Sequence, residues 1–183
     1  MDMLRRDQID ACLYTSLSPL VATTDQIRKA MSSSLQSLIY ARGSLTVIDQ
    51  LKLPHELVYV EIVNSEDAWT AIRTMQVRGA PLIAIVAALA LAVDVCKAHH
   101  TFKSSSDAAE FLKNKMTYLR TSRPTAVNLF VATDELLASV ISLEMKTGST
   151  ADSVVEGFLI EAEVTISMEY SSNMLRPLDI DCN

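Results

Sequence analysis

The feature that most constrains the fold is an uncharged, strongly apolar segment with a proline near its start. Gly79 to Val93 amounts to 15 residues without a charge, and Pro81 is the third of them. Proline suits the first helical position, because its missing amide hydrogen has no intrahelical acceptor there. A helix that is apolar on all sides is buried in a core or spans a membrane. Since crossing a bilayer takes about 20 residues, the segment predicts a buried helix and no membrane partner.

The residues just before this helix carry the pattern of an anion site. Gly79 allows a sharp turn and a close backbone approach to a bound group. A helix start exposes unpaired amide donors and the positive end of the macrodipole, and Arg78 adds a planar fork of donors. We interpret this as a candidate phosphate or carboxylate site. The alternative, an arginine in an ordinary salt bridge beside a turn, stays open at this point.

A second arginine lies just before a proline that can open a helix. Arg123 is followed by Pro124, and the apolar spacing beyond it predicts a helix from Pro124 to about Lys146. Two arginines held at two helix starts are able to grip one anion. Here too an alternative stays open, in which Arg123 is a solvated loop residue.

Composition limits the classes of partner and cofactor. The 183 residues fit one domain with or without an appendage, and the net charge of −6 argues against nucleic acid as the main partner. The three cysteines, Cys12, Cys96 and Cys182, have no CxxC or other metal-like spacing. We therefore expect no disulfide framework, no metal and no cofactor. A cytoplasmic location is expected, with the nucleus as a second one.

Strand signals come before helix signals along the chain. Two β-prone runs, Leu38–Ala41 and Leu45–Asp49, surround a glycine turn and predict a hairpin, and a third run covers Leu57–Ile62. Ser65 is the expected N-cap of the next helix, in which Trp69 is the expected core residue.

Two further helices are predicted downstream, and they complete the expected fold class. Residues 104–107 predict a helix cap, and apolar spacing predicts a last helix from Ala151 to Tyr170. The expected fold is α+β and mainly helical, with a small antiparallel β-sheet beside a bundle of about five helices. Residues 1–34 are expected to be a partly disordered extension, 35–172 the folded domain and 173–183 a divergent tail.

Four sequence segments, in order and at consistent spacing, resemble methylthioribose-1-phosphate isomerases. They are 37–53 (SLIYARGSLTVIDQLKL), 71–81 (AIRTMQVRGAP), 90–93 (ALAV) and 122–129 (SRPTAVNL). Several motifs in register are far more specific than one. The same superfamily contains the regulatory subunits of the exchange factor for translation initiation factor two.

The resemblance implies a function and a site. It implies isomerisation of 5-methylthioribose 1-phosphate to 5-methylthioribulose 1-phosphate in methionine salvage, a homodimer, and a mostly helical domain followed by a larger Rossmann-like one. By carry-over, the residues that bind this sugar-phosphate substrate are Arg78, Gly79, Ala80 and Arg123.

The chain departs from the resemblance in its catalytic segments. The His-Cys-Asn-x-Gly and Gly-Ala-Asp stretches of the Rossmann-like domain are missing here, and we interpret Cys182-Asn183 as a coincidence. We therefore expect an N-terminal domain that is inactive alone and has no catalytic residue. The alternative is a noncatalytic interaction or regulatory module related to the exchange-factor subunits.

The remaining titratable groups are assigned structural roles. Asp94 and Glu61 have no partner visible in the sequence and are expected at the surface or at helix ends. His99 and His100 are expected to stabilise the C-terminal end of the buried helix through its dipole.

Overall fold

The described part of the chain begins with a small antiparallel sheet. The computed structural model describes residues 36–173, and the environment of side chains as far as residue 164. The sheet has the strand order β1-β2-β3, with β1 at Leu38–Ala41, β2 at Ser44–Ile48 and β3 at Tyr59–Ile62. β1 and β2 form the hairpin that the sequence predicts, and β3 begins two residues later than expected.

Helices make up most of the remaining described residues. They are α1 (Ser65–Arg73), α2 (Ala80–Ala98), a short 3-10 helix (His99–Thr101), α3 (Ser105–Arg120), α4 (Val127–Glu144) and α5 (Ala151–Asn173). The predicted α+β, mainly helical architecture is confirmed. The predicted extension over 1–34, and residues 174–183 of the predicted tail, lie outside the described residues.

Helix α2 is the centre of the core. β2, α1, α3, α4 and α5 all pack against it, and every residue from Leu82 to Val95 is buried. The stretch Ala80–Thr101 is long and apolar enough to cross a membrane by length and composition, and 78% of its most apolar window is buried. The expectation that this helix is too short was therefore wrong, because the helix continues past Asp94. The prediction of a helix buried within the core is confirmed.

Asp94, a buried acidic residue of α2, lies in a polar cluster. The Asp94 carboxylate accepts hydrogen bonds from the backbone N–H of Ser65, at 2.9 Å, and from its hydroxyl, and it lies 3.4 Å from Lys115 Nζ. Lys115 also donates to Glu66, which holds the pKa of that carboxyl below its usual value. The expectation of an isolated Asp94 was wrong, because its partners lie on two other helices.

The start of α1 differs from the sequence expectation by one residue. Asn64 is the N-cap, and its side chain accepts from the N–H of Asp67 at 2.8 Å. Ser65, the expected cap, points inward and is fully buried against Asp94. By contrast, Ser104 caps α3 as predicted, through a bond from the N–H of Asp107.

Two polar contacts tie α5 to the rest of the domain. Arg42, in the hairpin turn, pairs with Glu156 at 3.0 Å and with Glu163 at 2.9 Å. His99, the C-cap of α2, lies 2.7 Å from Asp152 in the first turn of α5. The last helix is thereby fastened to both the sheet and the end of α2.

We expect Leu89→Ala to lower the free energy of unfolding by about 2–5 kcal/mol, because it removes a fully buried side chain from the centre of α2. Urea denaturation measures the loss. Leu51→Ala is the matched control, since Leu51 is 47% exposed and its truncation should change stability by less than about 0.5 kcal/mol. Equal losses in the two variants would contradict the central position of α2.

Candidate functional site

The segment between α1 and α2 has a fixed conformation. Thr74 is the C-cap of α1, and Met75 follows with φ +65°. Two hydrogen bonds then hold Arg78: its N–H donates to Gln50 Oε1 at 3.0 Å, and its Nε donates to the Met75 carbonyl at 3.0 Å. Gln50 therefore holds the backbone of Arg78, and the Met75 carbonyl holds its side chain.

Gly79 ends this segment as the N-cap of α2. Its φ of 94° and ψ of 128° are values that residues with a side chain rarely adopt, although a Cβ there would touch nothing within 4 Å. The glycine is thus required by conformation, and the space above it is open. Ala80 occupies the first helical position and Pro81 the second, one residue later than predicted.

The segment before α4 corrects a prediction. The Ala126 N–H donates to the Arg123 carbonyl at 3.0 Å, which closes a turn with Pro124 at its second position. Ala126 is the N-cap, with ψ 90°, and α4 begins at Val127. The predicted start at Pro124 was wrong, because proline favours this turn position as much as a helix start.

Both helix starts open into one cleft of about 470 Å³. It is lined by Gly79, Ala80, Ile83, Arg123, Thr125, Ala126, Val127 and Asn128. Three of the four predicted substrate-binding residues therefore line a common space. Arg78 is adjacent in the chain but does not line the cleft.

The two helices that meet at the cleft differ from the other three in their capping. Side chains of Asn64, Ser104 and Thr150 accept hydrogen bonds at the starts of α1, α3 and α5. No side chain caps α2 or α4. Several amide donors at both helix starts, those of Ala80, Val127 and Asn128 among them, are therefore left for another acceptor, and the positive ends of the two helix dipoles face the same space.

Arg123 is also distinctive among the arginines. Of the five arginines within residues 36–173, it alone has a side chain that makes no hydrogen bond or ion pair. The other four bond to carboxylates or backbone carbonyls: Arg42 to Glu156 and Glu163, Arg73 to Ser122, Arg78 to Met75, and Arg120 to Asp134. An unpaired, half-buried guanidinium beside free amide donors is suited to binding an anion.

The cleft offers binding groups without an acid or base. Its lining contains no Asp, Glu, His, Lys or Cys. Among the described residues, Cys96 is partly buried, and burial raises the pKa of its thiol. No group of three or more potential metal ligands occurs in residues 36–173. Substrate binding by Arg78, Gly79, Ala80 and Arg123 stays a prediction.

Trp69 packs against the core as the sequence predicts, but it is only partly buried. Its indole N–H donates to Thr121 Oγ1 at 2.8 Å, a contact that the sequence does not predict. Thr125 and Asn128 line the cleft, although they are not predicted as site residues from the sequence. Both lie within the 122–129 motif, which could have indicated their position.

Comparisons with known proteins identify the family of this chain. Residues 76–174, which contain both helix starts and most of the helical bundle, match the model of the initiation factor 2 subunit family. The chain belongs to this family. A curated relative, methylthioribose-1-phosphate isomerase of Vitis vinifera, is 51% identical over 140 residues, which are 76% of this chain and 37% of the relative.

Two solved structures share the fold of this family member. The 5-methylthioribose 1-phosphate isomerase of Pyrococcus horikoshii OT3 matches with a TM-score of 0.65 and 26% identity, over 76% of this chain and 38% of that one. Subunit delta of the translation initiation factor eIF-2B from A. fulgidus matches with a TM-score of 0.61 and 34% identity, over 74% and 37%. The chain thus spans less than two fifths of the length of each of these three proteins.

Replacing Gly79 in this family member tests the conformation at the start of α2. We expect Gly79→Ala to cost roughly 1–3 kcal/mol of stability, because its positive φ strains a residue with a Cβ. It should also weaken binding of inorganic phosphate, followed by amide NMR shifts. Gly43→Ala is the matched control, since Gly43 also has a positive φ and an open Cβ position but lies in the hairpin. A similar loss of phosphate binding in both variants would count against a local role for Gly79.

Proposed function

We propose that this chain is the phosphate-binding N-terminal part of an aldose-ketose isomerase that converts 5-methylthioribose 1-phosphate to 5-methylthioribulose 1-phosphate. The names and identities of the relatives support the substrate and its place in methionine salvage. The observation that carries the assignment to this chain is the unpaired guanidinium of Arg123 beside two helix starts that no side chain caps.

The cleft supplies donors in the arrangement that a phosphate requires. Amide N–H groups in the first turns of α2 and α4 donate to phosphate oxygens, and both helix dipoles favour the negative charge. Arg123 adds two parallel donors in a fixed plane. Arg78 lies outside the cleft lining but also contributes to phosphate binding. Among the described residues, its guanidinium bonds only through Nε, to the Met75 carbonyl, so its other donors are available.

The lack of an acid or base in the cleft lining supports placing the chemistry in another part of the protein. Moving a hydrogen between C1 and C2 of the sugar requires a positioned acid and base. Arginine remains protonated near neutral pH and serves neither role. This chain therefore binds and orients the sugar phosphate, and a Rossmann-like domain supplies the reacting groups. We also propose a cytoplasmic protein that associates with a second copy or with a family subunit.

We expect Arg123→Gln to weaken binding of inorganic phosphate by about tenfold or more, because the charge-assisted hydrogen bonds of its fork are lost. Amide NMR titration measures the affinity and shows whether Gly79, Ala80 and Asn128 respond. Arg123→Lys should recover only part of the affinity, since it keeps the charge without the fork.

Lys146→Gln is the control for loss of one positive charge. Lys146 lies just beyond the far end of α4, about 27 Å along the helix from its start. Phosphate affinity should be unchanged in this variant. Unchanged affinity in Arg123→Gln, or amide shifts confined to residues outside the cleft, would remove the basis of the proposal.

A turnover assay tests the division of labour between domains. The purified chain, incubated with 5-methylthioribose 1-phosphate, should shift the cleft amides and form no ketose, because its cleft has no acid or base. Ketose formation by this chain alone would contradict that division. The absence of any binding would instead favour a noncatalytic module related to translation factor subunits, a class to which the A. fulgidus neighbour belongs.

A further inference from the structure

The segment that carries Arg123 is anchored to the end of α3. The N–H of Thr121 donates to the Tyr118 carbonyl at 3.0 Å, and the Ser122 hydroxyl donates to the Leu119 carbonyl at 2.6 Å. Ser122 is almost fully buried. These bonds fix where the segment leaves the helix, and the side chain of Arg123 begins one residue later.

Helix α1 supplies a second set of contacts to the same segment. The indole Nε1 of Trp69 donates to Thr121 Oγ1 at 2.8 Å, and Arg73 Nη1 donates to the Ser122 carbonyl at 3.5 Å. Trp69 and Arg73 are four residues apart, so they share one face of α1. This face therefore contacts the two residues directly before Arg123.

Ring stacking holds Trp69 in the orientation that this contact requires. Its ring lies 5.9 Å from that of Tyr118, with 23° between their planes. The Tyr118 carbonyl accepts hydrogen bonds from both the N–H and the hydroxyl of Thr121. The indole, the Tyr118 ring and the Thr121 hydroxyl thus form one small connected cluster on the surface.

We propose that Trp69 is a positioning residue for Arg123, acting through the hydroxyl of Thr121. The inference rests on the proposed function, since it assigns Arg123 to the phosphate. A guanidinium binds phosphate strongly only when its fork is aligned with the oxygens. The Arg123 side chain has no partner among the described residues, so its alignment depends on the segment that Trp69 and Arg73 hold.

Four variants test the indole hydrogen bond. Trp69→Phe keeps a ring against Tyr118 and removes the N–H, whereas Thr121→Val removes the acceptor together with the bond from the Thr121 hydroxyl to the Tyr118 carbonyl. Each should weaken inorganic phosphate binding about fivefold, as for the loss of one hydrogen bond. The double variant should be no worse than Thr121→Val, because the indole hydrogen bond is already lost when the Thr121 hydroxyl is removed. Thr121→Ser keeps the hydroxyl and should retain wild-type affinity.

Thr117→Val is the matched control for loss of a threonine hydroxyl on α3. Its hydroxyl bonds only within the helix, to the Lys113 carbonyl, so phosphate affinity should not change. Trp69 is the single tryptophan of the chain, which provides a further readout. Its fluorescence should respond to phosphate in the wild type and respond less in Thr121→Val.

Hydrogen exchange separates this inference from the proposed function. In Trp69→Phe the amides of Ser122 and Ala126 should exchange about fivefold faster, while core amides of α4 such as Val140 stay unchanged. If wild-type protein binds no phosphate, the proposed function fails, and exchange alone decides whether Trp69 orders the segment. Wild-type phosphate affinity and unchanged exchange in Trp69→Phe would overturn the positioning role.

Discussion

Burial of α2 on every side is the constraint on which the rest of the structure depends. A helix enclosed by β2 and four other helices contacts solvent mainly at its two ends. Its beginning emerges at Gly79, where the positive end of the helix dipole meets the cleft. Its last buried residues include Asp94, which is stabilised only because Ser65 and Lys115 reach it from neighbouring helices. The position of the cleft is thus a consequence of how the core is covered.

The contrast in capping gives the cleft its electrostatic character. In three helices, a first-turn amide donates to a capping side chain, as is usual at helix starts. These side chains are Asn64, Ser104 and Thr150. The two helices that converge leave theirs free and have an unpaired arginine between them. A capping side chain at either start would stabilise its helix and compete with an anion for the same amides. The absence of caps on α2 and α4 is therefore consistent with a binding role.

Local patterns predicted the elements better than they predicted contacts. The hairpin, the cap at Ser104 and the buried helix all follow from spacing within a few residues, and the ordered motifs identified the cleft residues Gly79, Ala80 and Arg123. The polar partners of Asp94 and Trp69 were not predicted, because they lie 29 and 52 residues away in the chain. Pro124 was misread for a different reason, since proline is equally suited to a turn and to a helix start.

The position of α5 in the chain has a consequence for synthesis. Its buried residues, among them Phe158 and Leu159, complete the cover of α2 and begin to be made more than 50 residues after α2 ends at Ala98. At a synthesis rate of about 5–20 residues per second, several seconds pass between the synthesis of α2 and that of α5. The hairpin lacks its contacts with α5 during the same interval, because the glutamates that bind Arg42 lie on α5. Folding of the domain is therefore completed late, and the nascent chain is most exposed to aggregation and to chaperones during that interval.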